Sequence, residues 1–105
     1  MANICYNEFK ITYGNSELEK VIINRLTNLL FEHCYGEITY SDEYDIEGYF
    51  ESRWTFPIHV LEDLFKDLEN EDIDMRCLST EWGCNYVAMN LYRDGEWKPE
   101  QTFDF

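Results

Sequence analysis

The chain has 105 residues, 45% of them hydrophobic and 17% aromatic, and a formal charge of −14. That apolar content excludes a disordered acidic tail, and the charge argues against direct contact with nucleic-acid phosphates or anionic membranes, which need Lys and Arg. The length suits a single domain over residues 1–105; no run nears the ~20 apolar residues of a membrane span, and no secretory leader is evident, so the expected place is the cytoplasm.

Residues 3–13 are rich in Ile, Tyr, Phe and Thr, and the alternation of Phe9, Ile11 and Tyr13 predicts a strand. After Gly14-Asn15, Ser16 and Glu19 have the spacing of a reciprocal capping box. Leu18, Ile22, Leu26, Leu29 and Leu30 recur at helical spacing. A short strand at 37–40, an acidic connection at 41–47 and a strand at 48–54 read as a hairpin. Pro57 then sits where a first helical turn tolerates it, and Val60, Leu61, Leu64, Phe65 and Leu68 predict a second helix running to about Glu69. Ile73, Met75 and Cys77 alternate as a fourth strand. Val87, Met89 and Leu91 do so as a fifth, which turns at Asp94-Gly95 towards Trp97.

The order is βαββαβ with one or two strands appended. It predicts an α+β fold of the ferredoxin-like, split βαβ kind, with two helices on one face of an antiparallel sheet. The other sheet face is then open unless a partner or the appended strands cover it. The four cysteines, Cys5, Cys34, Cys77 and Cys84, show no Cys-x-x-Cys spacing. They read as small core residues, and the sequence assigns no metal and no cofactor.

Three stretches resemble a known family. Asn3-Ile4-Cys5-Tyr6-Asn7-Glu8-Phe9-Lys10-Ile11, closed by Gly14, is similar to the Asn-x-Cys-x-Asn opening of YubB-like ferredoxin-like domains of plasmids and phages. Ser52-Arg53-Trp54-Thr55-Phe56-Pro57 resembles that family's strand-to-helix join, with Phe56 where a first proline is usual. Glu81-Trp82-Gly83-Cys84-Asn85-Tyr86 and the Asp94-Gly95-Glu96 turn resemble its C-terminal strand pair. The resemblance implies a fold and a mobile-element origin, and no catalytic residue.

Charge is the feature that points towards function. Residues 1–35 hold four carboxylates against three bases, whereas residues 36–105 hold eighteen against five. Self-repulsion of that kind lowers stability unless something outside the protein uses it. On the predicted second helix, Glu62, Asp63, Asp67 and Glu69 face away from the apolar stripe, with Asp63 and Asp67 one turn apart, and Glu71, Asp72 and Asp74 follow. Asp42, Glu43, Asp45, Glu47 and Glu51 form a second cluster, interleaved with Tyr40, Tyr44 and Tyr49. Its alternate acids and Gly48 imitate a calcium loop, but Trp54 stands where the bidentate glutamate belongs.

These rows of carboxylates suggest a non-enzymatic protein that imitates nucleic acid and occupies a basic protein surface, such as the active groove of a host nucleic-acid-processing enzyme. The alternative is a protein-interaction module working through Trp54, Trp82, Tyr86 and Trp97 on the sheet, with the acid serving solubility. Catalysis has little support. His33 and His59 have no sequence-local nucleophile or acid arranged as a known motif, and there is no Gly-rich phosphate loop.

Overall fold

A computed structural model describes residues 4–53, 57–81, 83 and 86–103, with the side chain of Tyr86 excepted. The fold is α+β. Its elements are β1 (Ile4–Tyr13), α1 (Leu18–Arg25), β2 (Tyr35–Ser41), β3 (Asp45–Arg53), α2 (Ile58–Leu61), β4 (Ile73–Glu81), β5 (Tyr86–Arg93), β6 (Glu96–Trp97) and β7 (Gln101–Phe103). The strands form one antiparallel sheet in the order β2-β3-β1-β4-β5-β6. β7 also pairs with β5, beside Val87–Met89, while β6 pairs beside Tyr92 and Arg93. Seven strands exceed the five or six expected, because β6 and β7 are too short to show a periodic pattern.

β1 is the central strand, paired with β3 on one side and β4 on the other. Its alternation puts Cys5, Asn7, Phe9, Ile11 and Tyr13 on the buried face, together with Ile46 and Phe50 of β3 and Ile73, Met75 and Cys77 of β4. Both helices bury their apolar residues in that same cluster: Leu18, Ile22, Leu26 and Leu30 from α1 and its continuation, Leu61 from α2. Among the described residues the opposite sheet face carries no helix.

Three local expectations are corrected. The Ser16–Glu19 box does not form; instead the Asn15 Oδ1 accepts the Glu17 N–H at 3.0 Å. Beyond Arg25 the first helix widens into a π-helical stretch, Leu26–Leu30, where the Phe31 N–H reaches the Leu26 carbonyl at 2.9 Å. The largest departure is α2, which ends at Leu61 rather than near Glu69. Beyond it the chain proceeds by tight turns, with the Leu64 N–H donating to Leu61 and the Leu68 N–H to Phe65. Two features accompany the early end: Arg25 donates to the carbonyls of Leu64 and Lys66, and Asp67 adopts a left-handed φ of 69°, which an α-helix does not admit. Carboxylates crowding a helix C-terminus also oppose its dipole. Leu61, Leu64 and Phe65 are nevertheless buried, so the apolar spacing served the core without a helix.

β3 begins at Asp45 and β2 ends at Ser41, so the acidic connection shrinks to residues 42–44. Trp54, Trp82 and Cys84 lie outside the described residues. Cys5, Cys34 and Cys77 are free, buried thiols, as their apolar surroundings suggested. Among the described residues no helix is long and apolar enough to cross a membrane.

Candidate interaction surface

The sheet register assembles what sequence spacing could not. Thr12, near the end of β1, lies opposite Asp45 of β3 on one side and Asp74 of β4 on the other. One residue on, the Tyr13 N–H donates to the Tyr44 carbonyl at 3.0 Å, and the Gly14 N–H to the Asp72 carbonyl at 3.1 Å. The loop of residues 42–44 and the segment leading into β4 are therefore tied to the same end of the sheet. A Cβ on Gly14 would stand 2.8 Å from the Asp72 Oδ2, so that carboxylate lies directly against the glycine.

Asp94 joins them from the β5–β6 turn, where Gly95, at φ +79°, packs against the Glu69 backbone. Glu69, Asn70, Glu71, Asp72, Asp74 and Asp94 then surround a shallow hollow of about 360 Å³. Only partial neutralisation is visible: Arg93 pairs with Asp74 at 3.3 Å and Lys10 with Glu47 at 4.0 Å, both half-exposed. Surface pairs of that kind contribute little, about 0–1 kcal/mol.

Tyr13 registers the resulting field. Burial first, then Glu19, Asp42 and Asp45, push its hydroxyl up to about 12. Glu69 adds to burial in raising Tyr92. Glu19 and Asp94 thus belong to the acidic end although the sequence reading did not include them. Asp94 directly follows the last residue of β5, and Glu19 stands in the first turn of α1.

Of the predicted residues, Asp42, Glu43, Asp45, Glu69, Glu71, Asp72 and Asp74 sit at this end, and Glu47 follows Asp45 along the open face of β3. Glu62, Asp63 and Asp67 do not line the hollow. They occupy the turns after α2, so the expected one-turn spacing of Asp63 and Asp67 does not exist.

Asp42 has a structural task as well. Its Oδ1 accepts the N–H groups of Tyr44 and Asp45, each at 2.8 Å, and its Oδ2 accepts the Tyr40 hydroxyl at 2.6 Å. These bonds favour the ionised form and hold the carboxyl below its ordinary range, the Tyr40 hydroxyl most of all. A depressed carboxyl contributes stability above its unfolded pKa of about 4, which is lost as pH falls through the folded value. Asp42→Asn should therefore melt below the parent at pH 7, with a smaller gap at about pH 2, well below the unfolded value. An equal gap at both pH values would show that the carboxylate is not holding the turn.

No protein-family model matches the chain, and comparison with curated proteins and with solved structures also returns no match.

The remaining candidates are chemically weaker. His33 and His59, separate in sequence, both line a hollow of about 620 Å³ with Cys34, Glu51 and Arg53. The Cys34 thiol is pushed up by burial, which disfavours a nucleophilic thiolate. No group of three or more His, Cys, Asp or Glu among the described residues is arranged to hold a metal ion. Trp97 is partly buried and packs against the core: its ring lies 5.5 Å from Tyr92 and 6.4 Å from Phe65, and its Nε1–H donates to the Leu61 carbonyl.

Proposed function

We propose that this chain is a non-enzymatic acidic binding protein, and that the carboxylate-lined end of its sheet occupies a basic protein surface that ordinarily holds nucleic acid. The observation that carries the reading is the convergence at β1: Asp45 and Asp74 flank Thr12, with Asp42, Glu43, Asp72 and Asp94 beside them. β3 and β4 hold Asp45 and Asp74 on either side of β1, with neighbouring strands ~4.8 Å apart, and the adjoining loops and turn bring the other carboxylates beside them, so a partner meets a concentrated array of negative charge. Such an array accelerates encounter with a basic groove and selects against acidic competitors.

Within this reading the order β2-β3-β1-β4, with one helix after β1 and one after β3, is a split βαβ, ferredoxin-like core, and β5, β6 and β7 extend it beyond β4. The YubB-like resemblance would make it a plasmid- or phage-borne protein acting in the bacterial cytoplasm on a nucleic-acid-processing enzyme of the host defence.

The test is capture. Immobilised protein should retain a nucleic-acid enzyme from bacterial lysate at low salt and release it by ~0.5 M, where screening reaches a few Å. Duplex DNA should compete. Joint reversal by Glu43→Lys, Asp45→Lys and Asp72→Lys should weaken retention about tenfold or more, since each reversed rim charge slows encounter. Retention that survives the reversal, or that DNA leaves untouched, would sink the proposal. A second reading, an interaction module working through the sheet, is favoured by one observation: Tyr6 and Tyr49 stack on the open face with ring centroids 5.5 Å apart.

A further inference from the structure

Three neighbouring strands each carry the same outward-facing triplet: Tyr6-x-Glu8 on β1, Tyr49-x-Glu51 on β3 and Tyr35-x-Glu37 on β2. The antiparallel register offsets them into two rows. Tyr6 lies opposite Glu51, which lies opposite Tyr35; Glu8 lies opposite Tyr49, which lies opposite Glu37. Every tyrosine thus has a carboxylate beside it, both across the sheet and along its own strand.

The rings are not isolated. Tyr6 stacks on Tyr49 with 23° between the planes, Tyr35 tilts against Tyr49 at 6.5 Å, and the Tyr49 hydroxyl donates to the Glu37 Oε1 at 3.3 Å. These two rows contain no base. On β4 they continue as Leu78 and Thr80, while the nearest cations, Lys10 and Arg53, lie one row away on either side. A hollow of about 350 Å³ opens between Tyr6, Glu8, Thr39, Glu47 and Tyr49.

We infer that this checkerboard receives arginine side chains from an extended segment of a basic partner, with guanidinium planes on the tyrosine rings and their N–H groups on Glu8, Glu37 and Glu51. The inference rests on the reading that the partner is basic, and it adds the chemistry of recognition. A planar guanidinium can lie flat on an aromatic face and fork onto a carboxylate at its edge, whereas an ammonium makes only a point contact. Alternate residues of an extended chain are ~6.6–7 Å apart, which is also the distance from tyrosine to glutamate along each strand. An Arg-x-Arg segment therefore matches the surface repeat. The negative rows supply the charge complementarity, and Tyr35, 72% exposed on the edge strand, leaves one side of the surface accessible.

The test compares two peptides of equal length and charge, alternating Arg-Ser and alternating Lys-Ser, titrated calorimetrically into the intact chain at about 0.15 M salt. The arginine peptide should bind about tenfold tighter, as expected from a few ring contacts at exposed sites. Tyr6→Leu with Tyr35→Leu should abolish that ratio, and Tyr35→Leu alone, at an exposed edge position, should lower it without endangering the fold. Equal affinities for the two peptides, or a ratio that outlasts the tyrosine replacements, would overturn the inference. So would a dimer of the chain dissociated by Tyr35→Leu, since a second copy would then be the occupant. The Glu43, Asp45 and Asp72 reversals should weaken both peptides alike and leave the ratio intact. If they weaken neither, it is the acidic-end reading that fails.

Discussion

Replacing Asn7 with alanine should destabilise the fold by about 3 kcal/mol or more and lower its melting temperature by roughly 12–24 °C. Asn7 is fully buried on the central strand. Its Nδ2 donates to the Cys5 carbonyl at 3.2 Å, the Phe50 carbonyl at 3.2 Å and the Ser52 Oγ at 3.1 Å. Its Oδ1 accepts the Ser79 hydroxyl at 2.6 Å and faces the Cys5 thiol at 3.6 Å. One amide therefore satisfies polar atoms from β1, β3 and β4. Truncation removes this set of buried hydrogen bonds at once, at about 1–3 kcal/mol for each group that is not re-satisfied. Denaturant titration with an unchanged slope would measure the loss. Asn7→Asp provides a signed control: a buried carboxylate there would face the Cys5 and Phe50 carbonyl oxygens, its pKa would rise, and the variant should gain stability as pH falls, opposite to the trend from Asp42. A loss under about 1 kcal/mol for Asn7→Ala would mean that water replaces the amide. The result also bears on the Asn-x-Cys-x-Asn opening. Cys5 and Asn7 have packing and hydrogen-bonding work inside the sheet, whereas Asn3 lies outside the described residues.

Gly48→Val should detach β2. A Cβ at Gly48 would meet the Glu37 carbonyl oxygen and stand 2.7 Å from the Phe9 Cζ, and one at Gly36 would stand 2.7 Å from the Phe50 Cα. Backbone cannot yield as a side-chain end can, so either the Phe9 ring leaves the core or the edge strand leaves the sheet. Overpacking of this kind costs about 1–3 kcal/mol even where the site adjusts, and valine adds bulk that alanine does not. Hydrogen exchange should show protection lost along β2 while β1, β4 and β5 keep theirs. Gly14→Ala is the mild comparison, because its nearest neighbour is the mobile Asp72 carboxylate. Retained protection in β2 of the Gly48 variant would show that the two strands separate at little cost. Detachment would also remove Tyr35 and Glu37 from the checkerboard and so diminish the preference for arginine.

Strands and the first helix were legible because a core imposes period two or period 3.6 on residues that touch it. Phe9, Ile11 and Tyr13 announced β1, and Leu18, Ile22, Leu26 and Leu30 announced α1. The second helix failed because its apolar spacing recorded burial alone. Beyond Leu61 the chain takes tight turns, Asp67 is left-handed, and Arg25 of a distant element binds the carbonyls of Leu64 and Lys66, none of which the local spacing reveals. The same limit governed the acidic residues. Local spacing grouped Asp63 with Asp67, whereas the register across Thr12 grouped Asp45 with Asp74, and register is fixed by pairings remote in sequence. The repeated Tyr-x-Glu was written in the chain throughout. It became a pattern only once β1, β2 and β3 were known to be neighbours.

The central place of β1 also orders events during synthesis. Its inward face cannot close until both neighbours exist, and about 60 residues separate Tyr13 from the start of β4, or roughly 3–12 s of elongation at 5–20 residues per second. Through that interval Phe9 and Ile11 have no sheet partner on the β4 side. Closure of the fold on that side waits for residues 73–81 to emerge from the ribosome.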